Sequence, residues 1–324
     1  MAPSVDAPSR VPVVPLLIDN RPADQSAHTR RRRLGIAAIV VSATAMGTAG
    51  LFGRMATPPG AVLGEALTFG RMLVGGLGML VMLALSRRLG KLRRARLSWS
   101  VVLGGVFLAL SLATYLSATV LTDLSRAVVL HYLGPVLATV FARMFLGETI
   151  TRRDAVSLVA AFTGMLLAAG LIGGAPAPSS DEQVLGTVLG VVSGVFYGAA
   201  LLCYRYRSDM PADVRSFWTF AFGAAATGLV VVVTRPDLSG MTPGNWVWAI
   251  GFFVVCGLFA LGLLVVAGSY LRAAELAGLS YLEVVVALLL GVAVFGESVS
   301  LLAGVGASLV IVAMALPLTS PRRR

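Results

Sequence analysis

Apolar and polar positions in this chain alternate on the scale of whole helices rather than single turns. Residues 34–53, 154–174, 185–203, 216–234 and 246–271 form near-continuous apolar runs. Each approaches or exceeds the ~20 residues that carry an α-helix across ~30 Å of hydrocarbon. Followed along the chain, the pattern predicts ten spans, at roughly 34–53, 65–86, 99–120, 127–147, 154–173, 185–206, 215–234, 246–269, 275–295 and 299–318. Short polar breaks such as MATPPG, SRRLGKLRRARLS and GGAPAPSSDEQ separate them. The expected fold is an all-α membrane protein of ten transmembrane helices. Residues 1–33 are of different material, rich in Pro, Asp, Ser and Arg, and read as a disordered cytoplasmic tail. Their basic run at 30–33 lies directly before the first span, which is not the layout of a signal peptide.

Composition agrees with the pattern. Only 13% of residues are charged, about half the share of a soluble domain. The net charge of +11 raises the question of nucleic acid, and the placement of the charges answers it. With the tail inside, 21 of the 26 basic residues fall on the cytoplasmic side, and the outer loops hold only Arg54, Arg126 and Arg235. This is the positive-inside asymmetry of a multi-pass protein in the cell membrane with both termini cytoplasmic. No nucleic acid partner is expected.

The chain also repeats itself. Residues 34–54, LGIAAIVVSATAMGTAGLFGR, align with 185–205, LGTVLGVVSGVFYGAALLCYR, sharing Leu-Gly, Val-Val-Ser, a central Gly and the final Arg. Residues 131–150, HYLGPVLATVFARMFLGETI, align with 280–299, SYLEVVVALLLGVAVFGESV, sharing Tyr-Leu and Gly-Glu. The two offsets are 151 and 149, so the expectation is a duplication into five-helix units at 34–173 and 185–318. Five is odd, so the copies enter the membrane from opposite sides. Inverted repeats recur in transporters, with the substrate near the midplane where the halves meet.

Two five-span halves, each ending its fourth span in Gly-Glu before a Ser/Thr turn (GETIT, GESVS), with an Arg inside the second span (FGRMLVGG), resemble EamA-type members of the drug/metabolite transporter superfamily. The resemblance covers residues 34–318. It implies a secondary carrier, most often an exporter of amino acids or related metabolites. Such proteins often read Ser-Leu-Glu-Pro before the last long apolar run, whereas this chain reads Ser280-Tyr281-Leu282-Glu283-Val284.

Within the spans, Glu283 stands out, because a carboxylate at a helix centre costs on the order of 2.5–3.5 kcal/mol on insertion scales. Its helical face runs through Ser280, Ala287 and Gly291, small or polar enough to line a path. Intramembrane carboxylates usually mark solute or proton pathways; the bland alternative is a neutralised packing residue. Arg71 lies inside the outer end of the second span. By rise alone it differs in depth from Glu283 by roughly 10 Å, too far for a direct pair, but a zwitterion fits between them. His131, Tyr115 and Tyr281 join Glu283, Arg71 and Ser280 as candidates for the substrate or proton pathway; Tyr132, Tyr197 and Trp218 are further aromatic candidates for a pocket. Glu148 and Glu297, at span ends before hydroxyl residues, read as caps of the helices that follow. Trp246 and Trp248 read as interfacial anchors.

No P-loop, HExxH or CxxC occurs, and a lone intramembrane His without an acidic cluster cannot build a metal site. The expectation is therefore no cofactor, no metal and no enzymatic activity, with the bilayer and a small-molecule substrate as partners. Proton coupling and a homodimer are both compatible with such a bundle. The function expected is export of a small polar metabolite by alternating access. Rival readings are the same architecture carrying a drug or nucleotide-linked sugar, or a membrane-anchored sensor or enzyme.

Overall fold

The structure is a computed structural model that describes residues 22–147, 152–168, 180–206, 210–271, 279–280, 282–297 and 300–315. Among these the regular secondary structure is entirely helical. The first half contains α1 (Pro22–Gly47), α2 (Ala49–Ala56), α3 (Gly64–Leu85), α4 (Leu89–Arg94), α5 (Trp99–Leu121), α6 (Leu124–His131), α7 (Leu133–Leu146) and α8 (Arg152–Ala168). The second contains α9 (Asp181–Tyr206), α10 (Ala212–Thr234), α11 (Pro243–Phe252), a π-helical segment (Phe253–Phe259), α12 (Ala260–Tyr270), α13 (Leu282–Phe295) and α14 (Leu301–Ala315).

Seven helical stretches of the described residues are long and apolar enough to cross a membrane: Arg30–Ala56, Gly64–Leu85, Trp99–Leu121, Leu124–Leu146, Asp181–Tyr204, Ala212–Thr234 and Pro243–Ala267. They lie within a few residues of seven of the expected spans. At the fifth, ninth and tenth expected positions the described helices are shorter, at 17, 14 and 15 residues. The first helix also begins at Pro22, so residues 22–33, expected in the tail, are helical. The bundle turns large apolar side chains outward, as lipid requires: Leu77, Val81 and Leu85 form one such stripe at i, i+4, i+8 on α3.

Three spans are interrupted, each for an identifiable reason. The first breaks between α1 and α2 at Thr48, whose hydroxyl donates back to the Ala45 carbonyl at 2.6 Å. The fourth breaks between α6 and α7 at Tyr132. Pro135 has no N–H to offer the His131 carbonyl four residues earlier, so the ladder opens there. The eighth widens into the π-helix, a geometry often found at functional positions.

Long-range packing pairs α5 and α7 with α9, α3 with α10, α1 with α12 and α8 with α14. Small residues let backbones touch at these crossings. At Gly198 on α9 an added Cβ would lie 2.9 Å from the Gly134 carbonyl oxygen and 3.2 Å from the Ala138 nitrogen. Both neighbours are backbone and cannot swing aside. Gly198→Ala is therefore expected to destabilise the folded protein by about 1–3 kcal/mol, read as a lower thermal midpoint in detergent; an unchanged midpoint would contradict this crossing.

Candidate functional site

The three interruptions converge on two charges. Arg71, on α3, is 4% exposed. Gly257 of the π-helix packs on it, so closely that a Cβ there would sit 3.0 Å from the Arg71 carbonyl oxygen and 3.2 Å from its Cγ. The guanidinium lies 5.4 Å from the centre of the buried Phe252 ring, and its Nη2 donates to the Met46 Sδ at 3.1 Å. A thioether is a weak acceptor. Among the described residues Arg71 makes no ion pair, and its buried Nε has no hydrogen-bond partner. The Thr68 hydroxyl, three residues earlier on the same face, is likewise buried and unpartnered. A cation held this way lacks the compensation that buried charges normally have.

Glu283 occupies the first turn of α13. Its backbone carbonyl meets the α1–α2 break, where a Cβ on Gly47 would come within 2.8 Å of it. Its carboxylate has Tyr132, from the α6–α7 break, as hydrogen-bonding neighbour and the Arg71 charge as electrostatic neighbour. Cys256, in the π-helix, donates to the Ala45 carbonyl at 3.2 Å and faces Thr48. Tyr115, from α5, is buried, with its hydroxyl tucked against Gly50. Arg71, Glu283, Tyr115, Tyr132 and Cys256 thus lie in one cluster where the interrupted helices of the two halves meet.

His131 sits beside this centre but is anchored elsewhere. Ser111 donates to the Ser193 carbonyl at 2.8 Å, and Ser193 donates to the Ser111 carbonyl at 2.7 Å. The Ser193 hydroxyl also lies 2.7 Å from His131 Nδ1, so the serine pair anchors the imidazole. Its ring is stacked 4.7 Å from Tyr197 and lies 4.8 Å from Tyr115.

Of the sequence candidates, Arg71, Glu283 and Tyr115 come together, and His131 adjoins them. Ser280 is half-buried on the helical turn before α13, and Tyr281 lies outside the described residues, as does Glu148. Among the aromatic candidates, Tyr132 and Tyr197 join the centre. Trp218 does not: it packs on Phe217 and Phe222 in a separate cluster with Val214 and Met210. Trp246 is exposed as expected of an anchor, whereas Trp248 turns inward onto Phe52, with ring centres 5.6 Å apart. Glu297 caps a helix, but it is α6 of the other half rather than the helix that follows. Sequence reasoning missed Ser111, Ser193, Met46, Thr68 and Phe252. The polar run around Ser111 and the repeat at Ser193 were the available signals; nothing local pointed to Met46 or Phe252.

Known proteins agree with this architecture. An uncharacterized transporter from Archaeoglobus fulgidus is 27% identical over 284 residues, which span 87% of this chain and 95% of that protein. A solved crystal structure with 22% identity superposes with a TM-score of 0.59, covering 89% of this chain and 96% of the other, and so shares the fold. Residues 33–170 and 184–319 each match the EamA-like transporter family. The chain belongs to that family and carries its domain twice.

Proposed function

We propose that the protein is a secondary transporter that exports a small polar metabolite, such as an amino acid, by alternating access of two inverted five-helix repeats. The observation that carries this reading is the convergence of three interrupted helices on a buried guanidinium that, among the described residues, makes no ion pair, with Glu283 in the same cluster. Irregular backbone at membrane depth is tolerated where it lines a polar path. A solute carboxylate supplies the anion that Arg71 lacks, and a solute ammonium, or a proton, meets Glu283. Tyr115, Tyr132 and Ser280 line the same path, with Tyr281 expected on it from its sequence position.

Mirrored contacts support the inverted repeat and, with it, ten spans, while the Lys/Arg asymmetry supports cytoplasmic termini. Ser42 and Ser193 correspond in the first alignment. Ser42 donates to the Ala260 carbonyl at 2.6 Å and Ser193 to the Ser111 carbonyl; positions 111 and 260 are 149 apart, the offset of the second alignment. Gly47 and Gly198 also correspond, and each packs on a matching carbonyl, Glu283 for one and Gly134 for the other. The mirror breaks at the central charges: at the two offsets Arg71 corresponds to Phe220 or Phe222 in the second half. Glu283 stands where the first half has Gly134, and the room beside Gly134 is taken by the Tyr197 ring.

The test is comparative profiling of extracellular metabolites from cells making the wild-type protein, a Glu283→Gln variant or neither, at matched membrane levels. A small set of metabolites enriched outside with wild type alone is expected, and it names the cargo. Equal profiles for wild type and empty cells, in a host fed the candidate amino acids, contradict export.

A further inference from the structure

The two charges at the centre are separated from one end of the bundle by a second polar assembly, centred on Arg54 and Glu297. Arg54 Nη1 lies 2.9 Å from Glu297 Oε1. The same carboxylate accepts from the Leu124 amide, from the Ser125 amide at 3.0 Å and from the Ser125 hydroxyl at 2.8 Å. These amides open α6 and have no acceptor within their own helix. Arg54 also donates through Nε to the Thr119 carbonyl and through Nη2 to the Thr122 carbonyl, at the end of α5. Its guanidinium lies 4.5 Å from the centre of the Phe295 ring. Gly296, at φ +64°, turns the chain back after α13 so that Glu297 points across to α6. Gly291 leaves room for the carboxylate: a Cβ there would sit 2.6 Å from Oε2.

Three first-half elements, α2, α5 and α6, are thereby tied to the end of one second-half helix. Among the described residues the other ion pair given by the structure, Arg88 Nη1 with Asp213 Oδ2, also joins the halves. It lies at the opposite ends of its helices, after α3 and at the start of α10. The Arg54 side chain is 17% exposed and Glu297 6%. With the carboxylate nearly enclosed and the guanidinium partly open, the pair holds one arrangement of the halves, and removing either partner leaves the other charge uncompensated.

We propose that Arg54 and Glu297 are positioning residues of the transport cycle, closing the outer end of the path over Arg71 and Glu283 in this conformation. The inference rests on the alternating-access reading and on its orientation in the membrane. Cys256 is a built-in reporter, buried in the central cluster. With Cys203→Ala removing the other thiol, Cys256 labelling by a membrane-impermeant maleimide is measured on intact cells and on inverted vesicles. Arg54→Gln and Glu297→Gln are expected to raise the external labelling rate roughly tenfold, the shift for a loss of about 1.4 kcal/mol favouring the closed state. Arg54→Lys, which keeps the charge but not the fork to both carbonyls, falls between. Arg88→Gln gives no external gain.

Unchanged external and internal labelling in both Gln variants overturns the proposal. So does a labelling increase equal from both sides with a collapsed thermal midpoint, which marks a mere structural staple. A gain confined to inverted vesicles supports the closing role and overturns the orientation instead.

Discussion

Arg71→Met is expected to cut transport roughly 10- to 100-fold while leaving the protein as stable as wild type or more so. The transport figure follows from losing a charge-assisted hydrogen bond to the solute, worth ~1.5–3 kcal/mol, with each 1.4 kcal/mol a factor of ten. The stability figure has the opposite sign because, among the described residues, the guanidinium has no ion-pair partner and its buried Nε no hydrogen bond. Replacing such a group with an apolar chain of similar length removes a desolvation cost. Methionine keeps the Cγ that packs against Gly257. Transport kinetics in proteoliposomes and a thermal melt in detergent check the two halves separately. A variant that transports normally but melts earlier would show that Arg71 is an anchor for packing.

Glu283→Gln is expected to lower the transport rate at least tenfold and to flatten its dependence on pH. Glutamine keeps the shape, the carbonyl contact to Gly47 and an acceptor for Tyr132, so the fold survives. What it loses is the negative charge and the exchangeable proton, and a low-dielectric site makes either loss large. Glu283→Asp, with the charge retained on a shorter stem, should recover part of the rate. The checking measurement is initial transport rate across a pH series for the three proteins. A Gln variant with the wild-type rate and the wild-type pH profile returns Glu283 to a packing role.

The long elements were legible in the sequence because hydrocarbon thickness demands long apolar runs, and α3, α5, α9 and α10 lie within a few residues of where those runs predict. Pro135 accounts for the break at Tyr132 through its missing N–H, a local signal that the sequence reading left unused. The other interruptions are not local. The π-helix around Cys256 and Gly257 is fitted to Arg71, Ala45 and Thr48, all more than 180 positions away in the chain. Likewise the sequence shows Glu297 beside Ser298 and suggests a cap on the next helix, whereas its actual partners, Leu124, Ser125 and Arg54, come from the other half. His131 illustrates the same limit: its type suggests titration, but the serine pair that anchors it is assembled from α5 and α9. Charges were therefore visible as candidates, and their pairing was a property of tertiary structure.

The central claim is that a solute crosses the membrane by way of Arg71 and Glu283. The most direct test is counterflow of radiolabelled amino acids into proteoliposomes preloaded with the unlabelled solute, comparing wild type with the Arg71→Met and Glu283→Gln variants at equal reconstitution. Rapid, saturable accumulation with wild type and its loss in both variants is the predicted result. Accumulation that is the same in all three would mean that transport occurs but that its path does not pass these two charges.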